Sequence, residues 1–304
     1  MGCGFRVCVS VPDPQVARAA VRTARQLAEE LEAVLSRFRD DSELSRLNRA
    51  GGGRLEVHPV LWAAVRWALW AAHATGGLYD PTVLDRLQAA GYAHSFDPGR
   101  QAGPLPPPTP AGFGRWRLVR AHPRKPVVEV PPGVQLDLGG VGKALAAERI
   151  AARLSLLGPC LVEAGGDLAV RGVPRGWPGW PVAVEGPSGP VGVLWVDRGG
   201  VATSGTTVRR WRAGSQLAHH LIDPRTGLPP RTRVATATVR ARNAVEANAH
   251  SLALVVAGTA GLQAYLAGRR HLRAMVVLDD GAVAALGLSL HTHPPGEAIE
   301  HGDR

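Results

Sequence analysis

The chain has 304 residues, 45% hydrophobic and 20% charged, enough to bury a sizeable core as one large or two modest domains and unlike a disordered chain. Its formal net charge of +10 comes almost wholly from arginine, since Lys125 and Lys143 are the only lysines; the arginines are scattered without interleaved aromatics, so no nucleic-acid partner is expected. Cys3, Cys8 and Cys160 are odd in number and lack CxxC spacing, the N terminus carries no signal-peptide pattern, and no apolar run reaches the ~18 residues of a membrane span, so a reduced, cytoplasmic protein without membrane insertion is expected.

Phe5 to Val11 alternates as a short strand. Asp13-Pro14 then reads as an N-cap with Pro in the first turn of a long amphipathic helix, whose apolar positions Val16, Ala20, Ala24, Leu27, Leu31 and Leu35 recur at three- and four-residue steps. Ser36 to Asn48 is polar and is followed by three glycines. Pro59 to Ala74, with Trp62, Trp67 and Trp70, forms a second, buried helix. The loop Thr75 to Val83 combines ordinary turn chemistry with Tyr79 beside Asp80, a pair able to hold a purine. Residues 97–114 are rich in Pro and Gly and form a surface loop; Trp116 to Val119 and Val127 to Val130 resemble the strands of a hairpin.

Next comes Gln135 to Ile150, an apolar run ending in Asp137, then Gly139, Gly140, Gly142 and Lys143, then apolar residues at helical spacing. This reads as strand, tight loop and helix start, a junction suited to a phosphate because glycine backbone, helix N-terminus and Lys143 all favour an anion. Neither a Walker A loop nor a dinucleotide fingerprint fits: Asp137 and Ala144 break the first pattern and Leu145 the second. A turn whose glycines serve geometry alone fits the same residues. Downstream, Cys160 to Gly172 gives two strands about Gly165-Gly166, with Asp167 opening the second. Val182 to Glu185 and Val191 to Val196 continue a meander. Thr203-Ser204-Gly205 puts hydroxyls at a turn, His219 to Gly227 is rich in polar groups, Ala244 to Ala257 is a helix, and Leu272 to Leu278 with Ala282 to Leu286 closes a hairpin. Residues from about His291 are expected to be a disordered tail, leaving a single domain over 1–290. Strands outnumber helices and run in meanders, so the fold class is α+β.

Taken in order, these pieces resemble the FAD:protein FMN transferases, the ApbE-like flavin transferases. Met1-Gly2, Ser36 to Asn48, the Thr75 to Val83 loop, Asp137 to Lys143, Gly165-Gly166-Asp167, Thr203-Ser204-Gly205 and the His220-x-x-Asp223-Pro224-Arg225-Thr226-Gly227 element carry the likeness, with the helix around Asn248. The resemblance implies a T-fold-like core and transfer of the FMN half of FAD to a threonine hydroxyl of an acceptor flavoprotein, with Mg2+ and release of AMP. It also implies that Gly139, Gly140, Lys143, Gly165, Gly166 and Asp167 approach the flavin and pyrophosphate, that Tyr79 and Asp80 meet the adenosine half, and that Ser204 and Gly205 line the flavin pocket. His220 would accept the threonine proton, Asp223 would orient that region, and the Gly142 carbonyl and Asn248 would hold the metal.

The sequence departs from the family at the metal. The family pattern is Ala-Asp-Ala with a Thr four residues after the Asp; here the run is Ala247-Asn248-Ala249-His250-Ser251-Leu252. Magnesium prefers anionic oxygen, which Asn248 lacks, and Leu252 offers no oxygen at all. Two alternatives therefore stand beside transfer: a flavin-binding protein without turnover, and an FAD pyrophosphatase giving free FMN and AMP.

Overall fold

A computed structural model describes residues 2–99, 101–109, 114–269 and 271–291. His291 pairs through its backbone with Val193, and the rest of the expected tail lies outside the described residues.

The N-terminal strand β1 (Phe5–Val9) leads into α1 (Pro14–Leu35), which Asp13 caps by accepting the Gln15 N–H. Ala20, Ala24, Leu31 and Leu35 form its buried stripe. The polar stretch after α1 is more ordered than a solvated loop: Ser42 caps a short helix, α2 (Glu43–Arg49), and its hydroxyl donates to the Ser36 carbonyl. After β2 (Gly53–Glu56), α3 (Pro59–Ala74) turns Leu61, Ala64, Val65, Ala68, Ala71 and Ala72 to the core. Its tryptophans flank that face half-buried, because the small residues let neighbouring helices close in. α4 (Leu84–Ala89) follows.

Trp116 to Val119 is not a strand. Arg115–Leu118 is a 3-10 turn that drives the Trp116 side chain into the core beside His73. β3 (Arg120–Ala121) and β4 (Val127–Val130) pair with one another, and β4 also pairs with β2. The Pro-rich loop is stitched down, since Ala102 bridges to Ala213 and Thr109 N–H donates to the Thr226 carbonyl.

Among the described residues the main sheet has seven strands, all antiparallel, in the order β1, β5 (Cys160–Ala164), β6 (Asp167–Arg171), β9 (Arg198–Gly205), β12 (Val234–Ala241), β13 (Arg273–Leu278) and β14 (Val283–Leu286). The period-two alternation of strands assigns its faces. Cys160, Val162, Ala164 and Ala169 face α5 (Gly139–Leu154) and the helices beyond it, whereas Leu161, Leu168, Val170 and Val201 face the other way. The second face is covered by β7 (Trp180–Gly186) and β8 (Gly189–Val196), which pair with each other as a separate hairpin instead of continuing the sheet. A smaller hairpin, β10 (Arg210–Ala213) with β11 (Gln216–His219), packs near α4 and the Pro-rich loop. α6 runs Ala244–Ala267, longer than its expected end at Ala257, because the chain resumes its helix after a kink at Gly258 (φ 64°). It is apolar all round because it is enclosed by β9 and β12 on one side and α3 and α5 on the other. The architecture is α+β, and the helix starts and strand ends gather at one end of the sheet.

Candidate active site

That end holds a cavity of about 620 Å³, in the range of cofactor pockets. Its wall includes Tyr79, Asp80, Gly139, Gly140, Gly142, Lys143, Gly165, Gly166, Asp167, Ser204, Gly205, His220 and Asn248, so residues spread over 170 positions of sequence converge. Asp223 is the exception. Its carboxylate grips Arg225 through two bonds of 2.8 Å and takes the Arg225 N–H as well, while Arg225 reaches the Val256 carbonyl. Asp223 therefore holds a turn and does not line the cavity.

The central junction differs from its sequence reading. Residues 134–138 form no strand: Leu136 pairs instead with the Asn48 side chain, which donates to its carbonyl at 2.9 Å and accepts its N–H at 2.8 Å. The helix begins at Gly139, so the glycines and Lys143 lie within its first turns. Gly140 is required by packing: a Cβ there would stand 2.6 Å from the Tyr79 ring. Asp137 accepts the Gly139 N–H at the helix start and is held by Arg37 at 2.6 Å, an ion pair nearly closed to solvent. The chain thus supplies its own anion at the start of this helix. Arg37 also lies over the Phe38 and Tyr92 rings.

The β5–β6 connection is a two-residue turn, with Ala164 opposite Asp167 and both glycines at positive φ (59° and 96°), as a primed hairpin turn demands. It sets Asp167 on the cavity wall at 1% exposure. Asn248 Nδ2 donates to Asp167 Oδ1 at 2.6 Å, and Lys143 Nζ lies 4.0 Å from Asp167 Oδ2 while donating to the Gly139 carbonyl. Burial raises the Asp167 pKa, against the pull of Lys143 and the Asn248 bond. Asp167 Oδ2 and Asn248 Oδ1 are both buried and without a hydrogen-bond partner. Ser204 shares a 2.8 Å hydroxyl bond with Ser251, which itself donates to the Asn248 carbonyl, so the β9 end and α6 are locked together.

His220 is held well below the ordinary histidine pKa, chiefly by burial and then by Arg209 and Lys143, so its imidazole is neutral near pH 7 with Nδ1 unpartnered. Tyr79 and Asp80 are buried, with the Tyr79 hydroxyl and Asp80 Oδ2 unpartnered; Asp80 Oδ1 binds Thr82 through N–H and hydroxyl. Burial raises both their pKa values. Sequence reasoning missed Cys3, Arg37, Tyr92 and Arg209 on this wall. Asp137 was visible as an odd acid at a phosphate-like junction, but nothing in the sequence marked Arg37, 100 positions earlier, as its partner.

Two features test whether these residues suit a hard divalent cation. The two unpartnered buried oxygens fit one; Leu252, on the same wall, gives no oxygen. His250 does not compensate, because its Nδ1 faces the Tyr265 hydroxyl at 2.6 Å.

The profile of the ApbE family matches residues 1–276. A Treponema pallidum protein named FAD:protein FMN transferase is 31% identical over 279 residues, covering 84% of this chain and 76% of its own length. A Salmonella typhimurium protein of the same name is 28% identical over 302 residues, covering 92% and 83%. Among solved structures, the ApbE protein of Thermotoga maritima superposes with a TM-score of 0.79 at 25% identity, over 92% of this chain and 93% of that one. The apo flavinyl transferase ApbE of Pseudomonas stutzeri does so at 0.75 and 19% identity, over 95% and 98%, a likeness of fold.

Proposed function

This chain belongs to the ApbE family, and from that premise we propose that it transfers the FMN half of FAD to a threonine hydroxyl of an acceptor flavoprotein, with release of AMP. The observation that carries this reading is one cavity collecting a neutral histidine, the cations Lys143 and Arg209, and a buried set of unsatisfied polar atoms. In the transfer, the threonine oxygen forms a bond to the FMN phosphorus, the bridging P–O bond breaks, and AMP leaves with its electron pair. His220 Nδ1 takes the threonine proton; its depressed pKa keeps the lone pair free, and its burial keeps water from competing. Lys143 and Arg209 face the pyrophosphate and steady the charge that grows on the leaving oxygen, the electrostatic part that dominates phosphoryl transfer. Tyr79 and Asp80 orient the adenosine half, and the Gly165-Gly166 turn lets the ligand approach the backbone. A magnesium ion, when bound by Asn248 Oδ1 and the Gly142 carbonyl, would neutralise further phosphate charge.

Leu252 favours a second reading, FAD binding without transfer, because an apolar side chain occupies a position where the family offers oxygen. Incubation with FAD, Mg2+ and an acceptor domain, read by intact mass and AMP release, separates the readings. One FMN added per acceptor with matching AMP is expected. Intact FAD retained under every condition would establish the second reading, and free FMN with AMP in the absence of acceptor would indicate hydrolysis. His220→Ala is expected to suppress transfer at least about a hundredfold while FAD still binds.

A further inference from the structure

We infer that Asp167 supplies the carboxylate of a divalent-cation site in this chain, in the place left by the amide at position 248, with Asn248 Oδ1 as its second protein oxygen. The inference deepens the flavin-transfer reading and rests on it for the cation's use, but the site itself is read from protein atoms.

Asp167 and Asn248 are 1% and 6% exposed, and each leaves one oxygen without a partner. A buried carboxylate oxygen and a buried amide oxygen left open together cost several kcal/mol of lost solvation on general grounds, so a ligand that fills them has a large gain available. Their orientation is fixed. With Asp167 ionised, the 2.6 Å bond from Asn248 Nδ2 to Asp167 Oδ1 would become oxygen against oxygen if the amide were flipped, so Oδ1 of Asn248 is the open atom in that state. What remains is two acceptors and no donor, which calls for a cation or a ligand hydroxyl.

Lys143 answers this demand only in part. Its ammonium is 4.0 Å from Asp167 Oδ2, beyond hydrogen-bond reach, and is tied to the Gly139 carbonyl at 2.8 Å. Among the described residues no three His, Cys, Asp or Glu side chains gather to cage a metal. That is the situation of a magnesium-type ion, which typically takes one or two carboxylates, keeps several waters and completes its shell with substrate phosphate. Of the cavity's aspartates, Asp137 is held by Arg37 and Asp80 leaves Oδ2 open as Asp167 does, but Asp167 is the one bonded to Asn248, which carries a second open oxygen. The β5–β6 turn, shaped by its two positive-φ glycines, sets Asp167 against Asn248 of α6. The hairpin carboxylate thus lies one hydrogen bond from the helix position at which this chain has an amide.

The test uses Mn2+ as a paramagnetic probe, with binding to the full chain read from the loss of the free-ion signal, with and without FAD. Wild-type protein is expected to bind Mn2+, more tightly when FAD is present. Asp167→Asn keeps an acceptor for Asn248 Nδ2, so its fold is checked simply by thermal unfolding, and it is expected to weaken Mn2+ at least about tenfold. Asn248→Asp is expected to tighten it, and Lys143→Gln to tighten it in the absence of FAD by removing a competing charge. Mn2+ binding unchanged in Asp167→Asn, or FAD binding by wild-type protein with no Mn2+ uptake, would overturn the inference and leave Lys143 and Arg209 as the counter-charges. Mn2+ binding that depends on Asp167 in a protein that never binds FAD would support the cation site and remove the flavin reading instead.

Discussion

Two buried aspartates show how differently one side chain can be used. Asp223 has both oxygens in hydrogen bonds, to the Arg225 guanidinium and backbone, and the 223–228 turn closes around it. Asp167 is still more deeply buried, yet one oxygen faces only an ammonium 4.0 Å away. A carboxylate whose lone pairs are filled by its own chain holds the fold in place; one left open at the rim of a cavity is poised for something that the chain does not contain. The sequence motif around His220 drew attention to Asp223, but the geometry transfers that attention to Asp167.

The difference can be broken by opening a third carboxylate. Arg37→Ala would strand Asp137 with its partner gone from a site at which the arginine is 7% and the aspartate 15% exposed. Unfolding in denaturant is expected to show a loss of about 3 kcal/mol, the usual penalty for leaving a buried charge unpaired. An unchanged midpoint would mean that the pair is not closed in solution.

A satisfied polar pair elsewhere gives a pH signature. His250 is pushed down to about 4 from 6.5, chiefly by burial and further by Arg269. Between those values the unfolded chain takes a proton that the folded chain refuses. Stability is therefore intact above 6.5 and is lost as pH falls toward about 4, by on the order of 2–3 kcal/mol. Thermal unfolding across that range should show the slope in wild-type protein and a flatter one in His250→Gln.

Asp223→Asn should cost about 1–2 kcal/mol, a modest figure because Arg225 is half exposed. FAD affinity should stay within about twofold, since a turn outside the cavity is being loosened. Asp167→Asn is the mirror case: its unfolding free energy without ligand should lie within about 0.5 kcal/mol of wild type or rise, because an incompletely paired buried charge is removed. A large destabilisation there, or loss of FAD binding in Asp223→Asn, would erase the distinction between the two aspartates.

Much of the framework was legible in the sequence. Local chemistry sets the Asp13 cap, the helix Pro59–Ala74, the Gly165-Gly166 turn and the final hairpin, and short-range rules find them. Misreadings arose where distant residues decide. Asn48 replaces a strand neighbour for Leu136, 88 positions away, so the expected strand there is absent. Trp116 alternates like a strand residue but is drawn into the helical core, which curls its segment into a 3-10 turn. The candidate site residues were singled out because their motifs occur in a recognisable order, and all but Asp223 line one cavity. Their roles were less visible, since whether Asp167 or Asp223 has a free oxygen depends on neighbours that lie 81 positions away in one case and two in the other.

The measurement that bears most directly on the account is a crystal structure of the protein grown with FAD and Mn2+, with an anomalous difference map for manganese. FAD within the cavity, its pyrophosphate beside Lys143, and a manganese peak in contact with Asp167 Oδ2 and Asn248 Oδ1 is the predicted result. FAD bound with those two oxygens still open, or bound anywhere outside this cavity, would contradict it.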